Sequence, residues 1–309
     1  MKTVHTSVMV EEVLAYLEPG RDDSLFLDCT LGEGGHTEAF LTRFPRLRAV
    51  GLDADEDILS RARERLSPLG DRFRGRHGWF DEFLQSYPLT ERPDRILLDL
   101  GISSYHYDRS GRGFSFGAPE PLDMRLSPES GESAADILAR RDEKELARIF
   151  YSYGEERYSR RIARAVVEER RKGRIGTARD FASLVWNAVP AGYRRGRIHP
   201  ATRSFQALRI AVNRELERLE AALPAAVELL PSGGRIGVIS FHSLEDRRVK
   251  TFFREKSGVC TCPPEAPVCR CGAVKVVEIL TRRAVKPGPA ECERNPPSRS
   301  ARLRVAEKV

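Results

Sequence analysis

The chain has 309 residues, enough to bury a sizeable core and to form two domains. Its 52 lysines and arginines exceed 45 aspartates and glutamates, for a formal charge of +7. That balance favours an anionic partner such as nucleic acid, with a solvated, arginine-rich surface as the plainer reading. No run of eighteen apolar residues occurs, and Met1-Lys2-Thr3-Val4-His5 lacks the apolar core of a signal peptide. Both features argue against a membrane or secreted protein and for the cytoplasm.

Taken in order, residues 7–17 carry Val8, Val10, Val13, Leu14 and Leu17 at helical spacing and predict an amphipathic helix. Residues 25–29 predict a strand, which runs through a glycine-rich turn, Gly32-Glu33-Gly34-Gly35-His36, into a helix over 37–44. A second strand over 48–53 ends at Asp53, and a helix over 57–66 follows. Residues 73–79 read as a third strand or a loop, leading to Phe80, which fits either an adenine ring or ordinary core. The apolar run within 93–101 is a fourth strand signal and ends at Asp99. Beyond it, 109–125 form a glycine- and arginine-rich loop with interleaved aromatics, readable as a nucleic-acid contact, a lid or a flexible solvated loop.

From 133 the alternation of strand and helix stops. Helices are predicted over 133–140, 142–150, 155–172, 177–189 and 201–223, and strand character returns at 235–240. This block reads as a helical insertion between the fourth and fifth strands. Many of its arginines stand at helical spacing from Glu155, Glu156, Glu168 and Glu169, as on a salt-bridged surface. Residues 193–203 lack such acids and are the better place for phosphates. His242 leaves the fifth strand as a base, a substrate contact or a packed histidine. A further strand is predicted over 274–280, then a proline-punctuated basic stretch over 286–300 near Arg302 and Arg304. Cys260, Cys262, Cys269 and Cys271 could form a tetrahedral zinc site or remain free thiols in a proline-rich loop.

The organising stretch is 25–36 together with Asp53. Glycines let backbone approach a ligand, and an acid ending the next strand can accept from two ribose hydroxyls. A dinucleotide fingerprint needs a third glycine where Thr37 stands, and no Gly-Lys-Ser or Gly-Lys-Thr follows the loop. NAD and a phosphate-cradling loop are therefore disfavoured. An acid-then-glycines loop with a ribose-binding acid suits S-adenosylmethionine, which has no phosphate; the plainer reading is a tight turn serving packing. In a doubly wound sheet, ligands sit beyond the carboxyl ends of the strands, so Gly34, Asp53 and Asp99 point to one crevice.

Across nearly its whole length the chain resembles the bacterial 16S ribosomal RNA cytidine-N4 methyltransferase family. The resemblance is carried by Gly34-Gly35-His36, Asp99-Leu100-Gly101-Ile102-Ser103-Ser104, Gly113-Phe114-Ser115-Phe116, Pro121-Leu122-Asp123-Met124-Arg125, Tyr153-Gly154-Glu155-Glu156-Arg157, His199-Pro200-Ala201-Thr202-Arg203, Phe205-Gln206-Ala207-Leu208-Arg209 and Ser240-Phe241-His242-Ser243-Leu244-Glu245-Asp246. It implies an α/β, class I S-adenosylmethionine-dependent methyltransferase fold, Rossmann-like and doubly wound, over 1–108 and 224–309. An inserted, mostly helical substrate-recognition domain would occupy 109–223. It implies S-adenosylmethionine as methyl donor, held by Gly34, Gly35, His36, Asp53, Phe80, Asp99 and His106, the last where the family often carries glutamine. The acceptor would be the N4 of a cytidine in the decoding centre of 16S ribosomal RNA within the small subunit. Candidate RNA contacts are Arg112, Arg125, His199, Arg203 and Arg209. No membrane, no metal in the active site, and a monomer or homodimer are expected.

The N4 lone pair is delocalised into the cytosine ring, so transfer needs an acceptor for the amino hydrogens, alignment and removal of a proton. Many amino methyltransferases use an Asn-Pro-Pro-Tyr type tetrapeptide after the fourth strand, where this chain has Asp99-Leu100-Gly101-Ile102. Asp99, Asp123 and His242 are the candidates for this work. Two other classes compete. A dehydrogenase would share the alternating sheet but lacks its third glycine here, and a non-catalytic RNA-binding factor would need neither Asp53 nor the glycine loop.

Overall fold

The computed structural model describes residues 7–20, 24–88, 91–129, 131–173, 175–259 and 273–309. The chain divides into two compact units, Met1–Ile102 with Glu217–Val309 and Ser103–Leu216. Both boundaries fall several residues earlier than the sequence reading placed them.

The first unit is built on a sheet of strands β1 (Leu25–Asp28), β2 (Arg48–Asp53), β3 (Phe73–His77), β4 (Arg95–Asp99), β5 (Arg235–Ser240), β6 (Val277–Ile279) and β7 (Arg302–Lys308). Their order is β3-β2-β1-β4-β5-β7-β6. The first five are parallel, and β7 runs antiparallel to both β5 and β6. This is the expected class I methyltransferase sheet. All four residues of β1 are buried, because a central parallel strand is covered on both faces and therefore reads as a continuous apolar run.

The pleat sends alternate residues to opposite cores. Leu27, Leu52, Ile96, Leu98, Ile236 and Val238 face one side, where they pack with Leu219, Ala222, Leu223 and Ala226 of the helix Glu215–Leu229. Phe26, Ala49, Leu97 and Ile239 face the other, with Phe40, Leu41 and the helix Val10–Tyr16. The Phe26 and Phe40 rings stack with centroids 4.2 Å apart. Burying one such side chain contributes about 1.5–3 kcal/mol. Between β1 and β4 the order of the strands reverses, and the ligand crevice of such sheets lies beyond the carboxyl ends of those strands.

Four readings of the elements differ from the structure. Beyond the basic stretch the tail forms a strand that was not predicted: β7 lies inside the sheet, with Leu303, Val305 and Ala306 fully buried. Its charges are absorbed by Asp246, whose carboxylate accepts from Arg304 Nε at 2.6 Å and Arg302 Nη1 at 3.0 Å. The helix Ser243–Lys256, which carries Asp246, and the short helix Phe80–Gln85 are additional elements. The helix predicted over 201–223 is two, Thr202–Asn213 and Glu215–Leu229, broken at Arg214 in the left-handed region (φ 52°) and continuing through Pro224. The break follows from tertiary contacts. The buried Asn213 amide donates to Met124 O at 2.8 Å and accepts from Leu126 N at 2.9 Å, and Arg209 holds Glu215.

The second unit contains the helices Ala134–Arg140, Glu143–Gly154, Ser159–Arg170, Ala178–Ala188 and Thr202–Asn213. Its sequence marks their starts. Ser133 with Asp136 and Asp142 with Glu145 form reciprocal capping boxes, and Thr177 caps through Asp180 N. Phe150, Phe181, Ile162 and Leu208 fill the space between them.

Candidate active site

The glycine loop takes its shape from two carboxylates. Asp53, ending β2, accepts from Gly32 N and from Asp55 N, each at 2.9 Å. Asp28, ending β1, accepts from the Thr37 hydroxyl at 2.8 Å and, more weakly, from Thr30 N at 3.4 Å. Asp28 is fully buried, and burial pushes its carboxyl up to about 6 against the pull of His36 and the Thr37 and Thr30 hydrogen bonds. Gly34 stands at φ 81°, and a Cβ there would meet Leu66 Cδ1 at 2.9 Å; one on Gly35 would overlap the Ser7 hydroxyl. A side chain at either position would push the loop out of place.

Opposite the loop, Asp99 ends β4. Its backbone N–H donates to Thr30 Oγ1 at 2.6 Å, and its Oδ1 accepts from Gly101 N at 3.2 Å. Its Oδ2 lies 3.4 Å from His36 Nε2, off the line of a hydrogen bond. Both His36 ring nitrogens and Glu33 Oε1 are buried without a hydrogen-bond partner in the protein. Buried polar atoms are nearly always satisfied. Three orphans on one loop, with His36 next to Asp28 and Asp99, mark a place where a polar ligand completes the structure. Two carboxylates suit positive charge on that ligand, and no lysine or arginine of the loop offers a phosphate contact. The donor set therefore fits S-adenosylmethionine, whose ribose hydroxyls would find acceptor lone pairs on Asp53 beyond those used by the loop amides.

Next to β4, β5 delivers His242. Leu100 N donates to Ile239 O at 2.9 Å, and the Phe241 ring lies so close that a Cβ on Gly101 would meet it at 2.7 Å. His242 Nε2 sits 2.9 Å from Oε1 of Glu245, a carboxylate that is itself buried and accepts from Phe241 N at 2.8 Å through Oε2. Phe80 is the first residue of its helix and packs, half-buried, against the sheet core. Beside it the Arg218 guanidinium lies 3.9 Å over the Trp79 ring and donates to Asp81 at 2.6 Å.

The remaining predicted residues lie in the second unit, and most are used by the fold. Asp123 accepts from Arg125 Nε at 2.8 Å and Nη2 at 2.7 Å; burial pushes its carboxyl up, but the Arg125 hydrogen bonds prevail and hold it below the usual carboxylate range. Arg112 donates to the carbonyls of Arg125 and Leu126 at 2.9 and 3.1 Å. Arg209 makes a bidentate pair with Glu215, both bonds 2.8 Å. Arg203 donates to Glu155 O at 3.1 Å. His199 stacks on Phe116 and on Trp186, at 4.5 and 5.4 Å, and its Nδ1 accepts from Ala201 N. His106, on the helix Ser104–Asp108, is buried against Phe114 and Tyr105. The loop over 109–125 is thus pinned, with Phe114 buried and Gly113 N bound to Glu120.

Sequence reasoning passed over Asp28, Glu33 and Glu245 as site residues. Asp28 was legible as the acid ending the first strand, and Glu245 as the carboxylate one helical turn after His242. Cys260, Cys262, Cys269 and Cys271 lie outside the described residues.

A model of the MraW methylase family matches residues 2–309. The chain is a member of the MraW methylase family. It is 56% identical to a ribosomal RNA small subunit methyltransferase H of Treponema denticola, over all of this chain and 98% of that protein. It is 45% identical to the protein so named in Treponema pallidum, over 98% and 92% of the two chains, and 48% identical to that of Thermomicrobium roseum, over 100% and 95%. As an MraW methylase it is an S-adenosylmethionine-dependent methyltransferase, and the crevice at the ends of β1, β2 and β4 is its candidate cofactor site. Among the described residues, no helix is long and apolar enough to cross a membrane.

Proposed function

We propose that the protein transfers a methyl group from S-adenosylmethionine to the exocyclic N4 of a cytidine in the decoding centre of 16S ribosomal RNA, acting on the small subunit in the cytoplasm. The observation that carries the reading is the set of orphaned buried atoms on the glycine loop, Glu33 Oε1 and both His36 nitrogens, with His36 beside the carboxylates of Asp28 and Asp99. The names of the relatives support ribosomal RNA as the acceptor.

Gly34, Gly35, His36, Asp53, Phe80 and Asp99 would hold the cofactor. Asp53 accepts from the ribose, Phe80 packs against the adenine, and Asp99 keeps its Oδ2 for an amino group. Bound there, S-adenosylmethionine supplies an electrophilic methyl on a sulfonium. Asp99 and His242 are the groups to accept amino hydrogens from the base. Both ring nitrogens of His242 are buried without a hydrogen-bond partner among the described residues, and the Glu245 carboxylate 2.9 Å from Nε2 would favour the ring as it takes up a proton. Asp123 is less suited, since both of its oxygens accept from Arg125 and its carboxyl is a weakened base. The inserted helical unit would recognise the RNA around the target.

The test is transfer of labelled methyl from S-adenosylmethionine to small subunits from a strain lacking the protein, with the modified nucleoside identified by mass spectrometry. Label in N4-methylcytidine is expected. Label in another nucleoside, or none while the cofactor binds, would overturn the acceptor assignment.

A further inference from the structure

The cations that stand out in the sequence, Arg112, Arg125, Arg203 and Arg209, are fasteners of the second unit. A different set is available. The helices Glu143–Gly154 and Ser159–Arg170 border a groove of about 590 Å³ lined by Lys144, Arg148, Arg157, Arg160 and Arg161, with no carboxylate in its walls. All five side chains are exposed, and among the described residues none is paired with an acid. The neighbouring groove on the same helix behaves differently. There Arg161, shared by the two grooves, Arg164 and Lys172 stand among Glu168, Glu169 and Asp180, Lys172 bonds Glu169 at 3.1 Å, and Arg164 lies 3.6 Å from Glu143.

Three further features suit the first groove to a polyanion. Tyr151 projects from it with 66% of its surface exposed, which leaves the ring face open for stacking. Arg157 is held rigid, its guanidinium 4.8 Å from the centroids of both Tyr158 and Tyr193, and Tyr193 is itself tied to the buried Glu156 at 2.8 Å. The 12-residue helix Ser159–Arg170 begins at the groove and brings Arg160 and Arg161 to it; its first amides are already met by Glu156, whose Oε1 accepts from Tyr158 N at 2.8 Å and whose carbonyl accepts from Ser159 N at 3.2 Å.

We propose that this groove binds the sugar-phosphate backbone of the RNA substrate in single-stranded form, with an unpaired base stacked on Tyr151. This rests on the ribosomal RNA reading given above and names where that RNA is held. Guanidinium and ammonium groups neutralise successive phosphates, and a base on an exposed tyrosine adds attraction that does not depend on sequence.

The test compares two double substitutions of equal charge in the full chain, Lys144→Gln/Arg148→Gln and Arg164→Gln/Lys172→Gln. Binding to unmethylated small subunits is titrated against salt. The first pair is expected to lower the slope of log Kd against log salt by roughly 1.5, and the second to leave it nearly unchanged. Arg160→Gln, at a residue that lines the first groove and not the second, gives an independent single change with half that expectation. Tyr151→Ala should weaken binding about tenfold, and Tyr151→Phe should restore it. S-adenosylmethionine affinity should be unaltered throughout. Equal losses from the groove pair and the control pair would mean bulk charge alone, and an unchanged slope would mean no phosphate contact. Displacement of the subunit by polyglutamate as readily as by single-stranded RNA would mean an acidic protein partner. Each of these overturns the proposal. If the wild type methylates no subunit, the substrate reading fails and the groove assignment falls with it. Methylation by the wild type with an unaffected groove variant removes the groove alone.

Discussion

The crevice at the ends of β1, β2 and β4 and the pinned loop over 109–125 carry similar residues, yet they differ in how those residues are satisfied. In the loop, Asp123, Arg125, Arg112 and Gly113 all find protein partners. In the crevice, His36 and Glu33 are buried with atoms left over, and Asp28 is buried against its own preference for water. A fold tolerates such costs where a ligand or reaction benefits. Residue type alone does not separate a functional carboxylate from a structural one; buried polar atoms left without partners beside it do.

Four substitutions would break or sharpen that contrast. The largest effect is expected at Asp28. Its carboxyl holds a proton more tightly in the folded chain, so its contribution to stability is complete below about pH 3.8 and is lost as pH rises to about 6. That amounts to roughly 3 kcal/mol at 1.36 kcal/mol per unit. Asparagine does not titrate, so denaturant unfolding should show Asp28→Asn gaining on the wild type between pH 4 and 7. A constant difference would mean the crevice carries no such burden.

Asp53→Ala comes next. Calorimetry should show S-adenosylmethionine binding weakened by about 1–3 kcal/mol. Some loss of stability should accompany it, since Gly32 N and Asp55 N lose their acceptor. Normal cofactor affinity would remove the ribose assignment. Asp123→Ala should do the opposite, lowering stability by about 1–2 kcal/mol through the lost Arg125 bonds while cofactor affinity stays fixed. Because the Asp123 carboxyl is held low, that stabilisation is present at neutral pH and fades as acid protonates it. A methyl-transfer defect in a still-folded Asp123→Ala protein would return this residue to the catalytic set. Smallest is Gly34→Ala, about 1 kcal/mol from the left-handed backbone and the Leu66 contact, read by thermal unfolding with and without cofactor.

Much of the first unit was legible because buried parallel strands leave apolar runs. Residues 48–53 and 235–240 form strands with the bounds the pattern predicts. The glycine loop was legible through its spacing to Asp53. Strand β7 was not, since Arg302, Arg304, Glu307 and Lys308 disguise it; the burial of Arg304 against Asp246 depends on a partner far along the chain. The helix Ser243–Lys256 is masked in the same way by its charges. At Arg214 neither glycine nor proline announces a break, and at Pro224 a proline announces one that does not occur. In both places tertiary contacts override local preference. The free cations of the second unit were hidden among paired ones, because spacing cannot say which arginine meets an acid.

The pairing of Ile96 with Ile236 also bears on how the chain reaches its native state. The central sheet cannot join β4 to β5 until the whole of the second unit has been traversed, a high-order contact of the kind that slows folding. A helical segment that collapses early on its local contacts would shorten the effective tether and reduce the entropy of closure. Refolding of the sheet should therefore slow when the inserted helices are weakened, even by a substitution that touches no strand.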